Sequence, residues 1–296
     1  MARNLNADRP RLIFSTGSLH VYDTALCFEM AAVAGFDGIE LMCDRRWTTR
    51  DAGYLFNLSE QSGLPILAVH TPYWPNLPGW PAADDPLGRI FKTIELAEQL
   101  DAETVIIHTP LTTGAAFLSV GAKRYAIPLL RSPDRPVKAW FESPEGLAAF
   151  QRQTEVRIAV ENTPLFKFMG RDVNVHHWNT LEAWATVHEW LTMDTTHWAT
   201  FGVDPLTGYR AAQGKLTHIH LSNYAKGKQH LLPHIGELDL AGLLQTLAGD
   251  GFRGTVSVEL YPESLDFTDL DAARAHLRES VVFCREHLGQ SEMIQA

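Results

Sequence analysis

The chain has 296 residues, of which 45% are hydrophobic and 20% charged, as in an ordinary soluble globular protein. A formal net charge of −10 disfavours proteins whose main work is to grip nucleic-acid phosphates. Three cysteines without CxxC spacing argue against a disulfide framework or a thiolate zinc site. We expect a cytoplasmic protein, because no apolar run is long enough to span a membrane and polar residues 1–10 do not resemble a secretory signal.

Eight short apolar runs are predicted to be buried parallel strands, because they are of strand length and several end in a polar residue or a turn. In chain order they are Arg11–Ser15, Gly38–Met42, Ile66–His70, Thr104–His108, Arg157–Glu161, Leu191–Asp194, Leu216–Leu221 and Thr255–Glu259. Helical spacing of apolar residues predicts helices between and after them, at 25–34, 51–62, 87–100, 144–153, 181–190, 205–213, 240–247 and 271–287. This alternation predicts an α/β fold, a single (β/α)8 TIM barrel, with a doubly wound open sheet as the alternative.

One barrel domain is expected to span residues 1–296, with residues 1–10 as a flexible N-terminal extension. Some fifty residues separate the fourth predicted strand from the fifth. We expect this segment to be a long loop excursion over one end of the barrel. Such a loop is either a lid or binding loop or a surface insertion.

Active sites of such barrels lie at the carboxyl ends of the strands. The third to the eighth predicted strands all end in, or next to, a residue that can bind a divalent metal: His70, His108, Glu161, Asp194, His220 and Glu259. His197 and His230, in the loops that follow, are two further candidates. A single strand-end histidine is more often structural than a ligand. Three carboxylates that face one another without a cation, however, would repel and raise each other's pKa. The pattern therefore predicts at least one bound divalent metal.

Other polar residues are expected to lie outside this ligand set. Glu40 is followed by two more strand residues and should lie behind the ligands. His218 points to the same side as His220, one layer deeper, and is interpreted as a core histidine. His176 and His177 fall in a loop and are expected to be exposed to solvent.

Seven segments resemble the xylose isomerase-like barrels, which include sugar isomerases, sugar epimerases and endonuclease IV. They occur in the family's order: AGFDGIEL, AVHTPY, VIIHTP, AVENTP, DTTH, HIHLSN and VSVEL. The resemblance implies one metal on Glu161, Asp194, His220 and Glu259, a set suited to Mn²⁺, Mg²⁺ or Co²⁺ and tolerant of Zn²⁺. It also implies that the two glutamates act as acid and base and that His197 contacts a substrate oxygen.

The similarity to endonuclease IV implies a second metal on His70, His108 and Glu161. A third metal site looks incomplete, because His230 matches its histidine whereas Lys228 stands where the family has an aspartate. Tyr73 and Trp74 match side chains that the nuclease inserts into DNA. We favour the interpretation that they line a sugar-binding pocket, given the acidic net charge.

These observations lead to one functional hypothesis and three alternatives. The hypothesis is a divalent-metal-dependent isomerase or epimerase of a small sugar or polyol-derived ketone, which works by proton abstraction and an enediolate. Substrate contacts are expected from His70, His108, Trp74, Lys226 and His230. The alternatives are a sugar or inosose dehydratase with the same site, an endonuclease IV-like phosphodiesterase on abasic DNA, and a non-catalytic sugar-binding barrel. The expected partner is a small sugar or polyol, not nucleic acid or a membrane, and a homo-oligomer is an open alternative.

Overall fold

The computed structural model describes residues 9–74, 77–82, 84–112, 114–120, 123–129, 132 and 134–294. Within these residues, eight parallel strands form a closed barrel in chain order, and the first strand pairs with both the second and the last. They are β1 (Arg11–Ser15), β2 (Gly38–Met42), β3 (Ile66–His70), β4 (Thr104–His108), β5 (Arg157–Glu161), β6 (Trp190–Asp194), β7 (Leu216–Leu221) and β8 (Thr255–Val258). The predicted (β/α)8 TIM barrel is confirmed.

Helices follow the strands on the outside of the barrel. They are α1 (Thr24–Ala34), α2 (Ala52–Ser62), α3 (Pro86–Gln99), α4 (Arg135–Glu142), α5 (Leu147–Gln151), α6 (Leu181–Val187), α7 (Thr195–Thr200), α8 (Pro205–Ala212), α9 (Leu240–Gly249) and α10 (Leu270–His287). An aspartate side chain caps the first turn of many of them by accepting a backbone N–H: Asp23, Asp51, Asp85, Asp194, Asp204, Asp239 and Asp269.

The helix predicted over 144–153 is wrong at its start. The structure places α5 after Gly146, where an added Cβ would lie 1.7 Å from the carbonyl oxygen of Trp140. The chain turns too tightly against α4 at this point for any residue but glycine. The helix predicted over 181–190 ends early, at Val187, because Trp190 already belongs to β6. The short helix α7 was not predicted as a separate element.

The excursion between β4 and β5 contains β-structure. The strands Gly114–Val120 and Lys123–Leu129 pair antiparallel, and the second pairs with Phe166–Phe168 after β5. That strand pairs in turn with Arg171–Val173. Both segments leave the barrel at the carboxyl ends of their strands, so this small sheet lies on the side where the candidate residues are.

The interior of the barrel is apolar only in part. A small cluster of Ile13, Leu67, Ala68 and Ile106 is separate from the large core between strands and helices. Closer to the carboxyl ends of the strands the buried side chains are polar: Ser15, Glu40, His70, Glu161, Asp194, His218, His220 and Ser257. Burying a polar group destabilises the fold unless the group has a hydrogen-bond or ionic partner. The partners of these side chains therefore indicate the chemistry that this end of the barrel can support.

The first described residues are tied to the C-terminal helix. The guanidinium of Arg9 pairs with Asp37 at 2.9 Å and donates to Gln290 at 2.9 Å, while Arg285 pairs with the same Asp37 at 3.0 Å. Residues 1–8 of the expected N-terminal extension lie outside the described residues. Among the described residues, no helix combines the length and the apolar character that crossing a membrane requires.

His188, just before β6, is a buried histidine that lies among aromatic side chains. It packs edge-on against Phe141 and Trp178, with centroids 5.4 and 6.0 Å apart. Burial, together with the positive charge of Lys215, lowers the pKa of His188 to about 4. Since the unfolded chain has a pKa near 6.5, the unfolded state binds more protons between these values. The stability from this group is complete above pH 6.5 and is lost as the pH falls towards 4.

Replacing His188 by glutamine is expected to reduce the pH dependence of the free energy of unfolding between pH 4 and pH 6.5. The free energy of unfolding of the wild type, minus that of H188Q, should fall by about 2–3 kcal/mol between pH 7 and pH 4.5. Urea denaturation of both proteins at a series of pH values measures this difference, and titrations shared by the two proteins cancel. Parallel profiles for the two proteins would contradict the assignment.

Candidate active site

The carboxyl ends of β5 to β8 bring four predicted metal ligands together. Glu161 and Asp194 are the last residues of β5 and β6, His220 is the penultimate residue of β7, and Glu259 directly follows β8. One ligand atom from each lies within 4.8 Å of those of the other three. All four are buried except Glu259, whose side chain is 15% exposed. The barrel therefore converges these residues as the strand-end pattern predicts.

Glu161 is at the centre of the group, because four imidazoles contact its two oxygens. Oε2 is 3.2 Å from Nε2 of His70 and 3.0 Å from Nε2 of His108. Oε1 is 3.0 Å from Nδ1 of His220 and 3.3 Å from Nδ1 of His197. Burial alone would raise the pKa of Glu161, but His220 and His108 beside it hold that pKa well below its usual range. Glu161 is thus ionised in this arrangement.

Two of these imidazoles have both nitrogens committed: both nitrogens of His220 face carboxylates, whereas His70 has one nitrogen on a carboxylate and one on a backbone carbonyl. Nε2 of His220 lies 3.0 Å from Glu40, while its Nδ1 lies 3.0 Å from Glu161 and 3.2 Å from Glu259. Nδ1 of His70 donates to a backbone carbonyl at 2.7 Å, which leaves Nε2 facing Glu161. A neutral imidazole has only one N–H. Each ring therefore needs either a second proton or a cation between its second nitrogen and the carboxylate.

Asp194 has one oxygen in use and one available. Its Oδ1 accepts from the backbone N–H of His197 at 2.7 Å and from the hydroxyl of Thr196 at 2.9 Å, which caps α7. Its Oδ2 is buried, has no hydrogen-bond partner among the described residues, and lies 3.9 Å from Nδ1 of His220. A buried carboxylate oxygen without a partner is costly, and a metal ion would satisfy it.

The pKa of Glu259 also indicates that this group of residues suits a metal ion. Burial raises the pKa of Glu259 to about 7, although His220 beside it acts in the opposite direction, and Glu40 and Glu161 add to the increase. The contributions of Glu40 and Glu161 are the repulsion between carboxylates that the sequence predicts in the absence of a cation, and a divalent ion would remove it. Three carboxylates, one of them with the open oxygen of Asp194, and one imidazole fit such an ion.

A second group with ligand spacing shares Glu161. The ligand atoms of His70, His108 and Glu161 lie within 4.8 Å of one another, and the two rings are 5.1 Å apart. The side chain of His108 is 33% exposed, whereas the other two are buried. This group therefore opens towards the barrel mouth through His108.

His197 and His230 lie beside the four-ligand group. Nδ1 of His197 donates to the carbonyl of Asn162 at 2.8 Å, so Nε2 is the acceptor nitrogen of the neutral ring. The ring of His230 is 5.5 Å away and perpendicular to it. Their ligand atoms and that of Asp194 lie within 4.8 Å of one another. The structure thus places both histidines at the same end of the barrel as the ligands.

The other predicted substrate-binding residues, Trp74 and Lys226, differ in how deeply they are buried. Trp74 is half-buried after β3, with its ring 5.5 Å from that of His20 and its carbonyl bonded to Arg89. Lys226 and Lys228 are exposed in the hairpin after β7. In the part of the chain that the structure describes, no hydrogen bond or ion pair joins either lysine to the ligand cluster. The roles of these residues in binding remain predictions.

The interpretation of His176 as a solvent-exposed loop residue was wrong. It is half-buried, and its Nδ1 donates to the carbonyl of Thr109 at 2.6 Å, directly after β4. Burial lowers the pKa of His176 to about 3, and the neighbouring His108 and His197 add to the decrease. The segment after β5 therefore folds back over the barrel mouth, which no local signal in the sequence indicates.

Glu40 and His218 lie behind the ligands, as predicted. Both are fully buried, and Oε2 of Glu40 lies 2.9 Å from Nε2 of His218 and 3.0 Å from Nε2 of His220. The HIH spacing predicts that both histidines point inward, but the sequence gives no sign that Glu40 reaches them across the barrel.

Two related proteins match nearly the whole length of this chain, and neither is named for an activity. An uncharacterised protein of Mycobacterium leprae is 28% identical over 93% of this chain and 96% of its own length. An uncharacterised protein of Mycobacterium tuberculosis has the same identity and the same coverage.

Several solved structures share the fold. A D-tagatose 3-epimerase-like protein superposes with a TM-score of 0.66 at 20% identity, over 97% of this chain and 100% of that one. A 3-keto-D-glucoside 4-epimerase from E. coli gives 0.65 at 16% identity, over 94% and 100%. An L-ribulose 3-epimerase gives 0.63 at 20% identity, over 97% and 99%.

The family itself is shown by a family model. The model of the xylose isomerase-like TIM barrel matches residues 28–287, which include every barrel strand except β1 together with all the strand-end ligands. The chain therefore belongs to the xylose isomerase-like TIM barrel family.

Proposed function

We propose that this protein is a divalent-metal-dependent epimerase of a small ketose or a related polyol-derived ketone. The observation that carries the proposal is the pair of carboxylates, Glu161 and Glu259, that contact the same nitrogen of His220 at 3.0 and 3.2 Å. Two carboxylates at one centre suit inversion at a carbon next to a carbonyl, since one can remove a proton and the other can return it. The epimerases among the structural neighbours support this choice.

The metal would be held by Glu161, Asp194, His220 and Glu259, and the donor set suits Mn²⁺, Mg²⁺ or Co²⁺. When bound, it would supply Lewis-acid polarisation of the substrate carbonyl. The chain's own residues would do the rest. One glutamate would take the proton from the carbon beside the carbonyl, which gives an enediolate, and the other would deliver a proton to the opposite face.

The surrounding side chains would orient the sugar. Nε2 of His197 is the acceptor nitrogen of its ring and would accept from a substrate hydroxyl. His108, one-third exposed above Glu161, would contact a second hydroxyl unless it holds a second metal with His70. The ring of Trp74 would pack against the apolar face of the sugar. These contacts would hold the reacting carbon close to the two carboxylates.

The reaction is tested by solvent exchange. Mn²⁺-loaded protein is incubated in D₂O with a panel that includes D-tagatose, D-psicose, D-fructose, L-ribulose and keto-inositols, and ¹H NMR follows the hydrogen next to each carbonyl. We expect loss of that signal together with the appearance of the epimer for at least one compound, and no exchange in chelator-treated protein. Loss of water in place of inversion would assign the dehydratase alternative, and no exchange with any compound would overturn the proposal.

A second candidate function follows from the group of His70, His108 and Glu161, because two metals at one carboxylate also suit phosphodiester hydrolysis. This candidate is an endonuclease acting on abasic DNA. It requires two metals per chain and cleavage of an abasic duplex by the metal-loaded protein. The net charge of −10 favours a sugar over DNA as the substrate. If the nicking assay gives no product, the endonuclease is excluded and the epimerase is the one remaining proposal.

A further inference from the structure

A buried chain of hydrogen bonds lies behind the candidate metal site and spans four neighbouring strands. Ser15 on β1 donates to Oε1 of Glu40 on β2 at 3.0 Å, and these residues are register partners. On β7 and β8, His218 and Thr255 are also register partners, and Nδ1 of His218 lies 2.6 Å from the hydroxyl of Thr255. Glu40 joins the two pairs through its contacts to Nε2 of His218 and of His220.

The positions of the protons in this chain of hydrogen bonds follow from the chemistry of the residues that form it. With Glu40 ionised, Ser15, His218 and His220 all donate to it, because an ionised carboxylate only accepts. His218 then carries its proton on Nε2, and its Nδ1 accepts from the hydroxyl of Thr255. His220 likewise carries its proton on Nε2. When the ring is neutral, its Nδ1 is left as a lone pair.

That lone pair faces the metal ligands. Nδ1 of His220 lies 3.0 Å from Glu161, 3.2 Å from Glu259 and 3.9 Å from the unpartnered oxygen of Asp194. A proton on the same nitrogen would instead donate to Glu161 or Glu259 and would occupy the position of a cation. The tautomer of His220 therefore decides whether the site can accept a metal.

We propose that Glu40 is a positioning residue that fixes His220 in the tautomer with its proton on Nε2 and so presents Nδ1 as a metal ligand. The inference rests on the metal site of the proposed function. Glu40 acts only through His220: it is fully buried and contacts that ring from the side opposite to Glu161. Carboxylates that accept from a ligating histidine orient the ring and increase its basicity.

The tautomer is tested in the wild-type protein by neutron diffraction from deuterium-exchanged crystals loaded with Mn²⁺. We expect a deuteron on Nε2 of His220, directed at Glu40, and none on Nδ1. A deuteron on Nδ1 in the metal-loaded protein, or a bare Nε2, would overturn the inference. This measurement does not depend on whether any variant folds.

The contribution of Glu40 is tested by metal affinity in the E40Q variant. Glutamine keeps the size of the side chain and can still accept from His220, but it removes the negative charge. We expect Mn²⁺ affinity, measured by competition with a chelating dye, to fall by about 10–100-fold, the range for outer partners of ligating histidines. The control is E103Q, which makes the same change in an ion pair with Arg11 before β4, at the opposite end of that strand from His108. E103Q should bind Mn²⁺ like the wild type.

The outcomes separate this inference from the proposed reaction. Equal affinities for E40Q and the wild type would overturn the inference even if sugars are epimerised. Weakened affinity in E40Q alone, with the predicted deuteron on Nε2, would support it even if no sugar exchanges. Protein that binds no Mn²⁺ at His220 would overturn both the metal site and the role of Glu40.

Discussion

Replacing Glu161 by glutamine is expected to remove both metal binding and turnover. This side chain contacts His70, His108, His197 and His220, and the change leaves all four imidazoles without their shared carboxylate. We expect Mn²⁺ affinity to fall by more than the roughly 100-fold upper range for outer partners. Loss of the acid–base function should lower kcat/KM by about 10²–10⁴-fold in addition to the metal effect.

Metal content after gel filtration and turnover of the sugar that exchanges in D₂O measure these two effects. The matched control is E263Q, the same chemical change at an exposed glutamate four residues after Glu259, which should alter neither quantity by more than about twofold. Wild-type metal content and a kcat/KM within tenfold of the wild type in E161Q would show that Glu161 has neither role.

The E259Q variant is expected to separate the two halves of the proposed inversion. If each glutamate serves one face of the substrate, E259Q can still remove a proton from one epimer through Glu161, but it cannot return a proton to the other face. In D₂O, one epimer should then exchange its hydrogen without inverting, and the other should not exchange. Net epimerisation should fall by about 10²–10⁴-fold.

Deuterium incorporation into each of the two epimers, followed separately by NMR, measures this effect. Chemical identity of the recovered sugar distinguishes exchange from inversion. Exchange of both epimers by E259Q, or epimerisation within tenfold of the wild-type rate, would exclude Glu259 as one of the two acid–base groups. Metal content of the same preparation serves as the control, because three of the proposed ligands remain.

The sequence predicts the barrel well because its strands are short apolar runs that end in polar residues. Six of the eight strands have the predicted bounds, β6 begins one residue earlier than expected, and β8 ends one residue earlier. The same property locates the candidate site. In a parallel barrel all carboxyl strand ends share one mouth, so a list of strand-end residues is already a list of neighbours.

The sequence predicts poorly what depends on contacts between distant segments. Glu40 and His220 are 180 positions apart, and their contact depends on how the closed barrel aligns β2 with β7 across its interior. His176 donates to the carbonyl of Thr109 and forms an isolated β-bridge with Leu111, which brings the segments after β4 and β5 together. Neither contact leaves a periodic or local signal, so both residues were assigned only from their immediate surroundings.

We propose that Glu161, Asp194, His220 and Glu259 together hold one divalent ion. Anomalous diffraction from a crystal of the protein grown with Mn²⁺ tests it most directly. We expect an anomalous peak within about 2.5 Å of one donor atom from each of these four residues, with Nδ1 as the donor of His220. A peak confined to His70 and His108, or no peak near these carboxylates at saturating Mn²⁺, would contradict it.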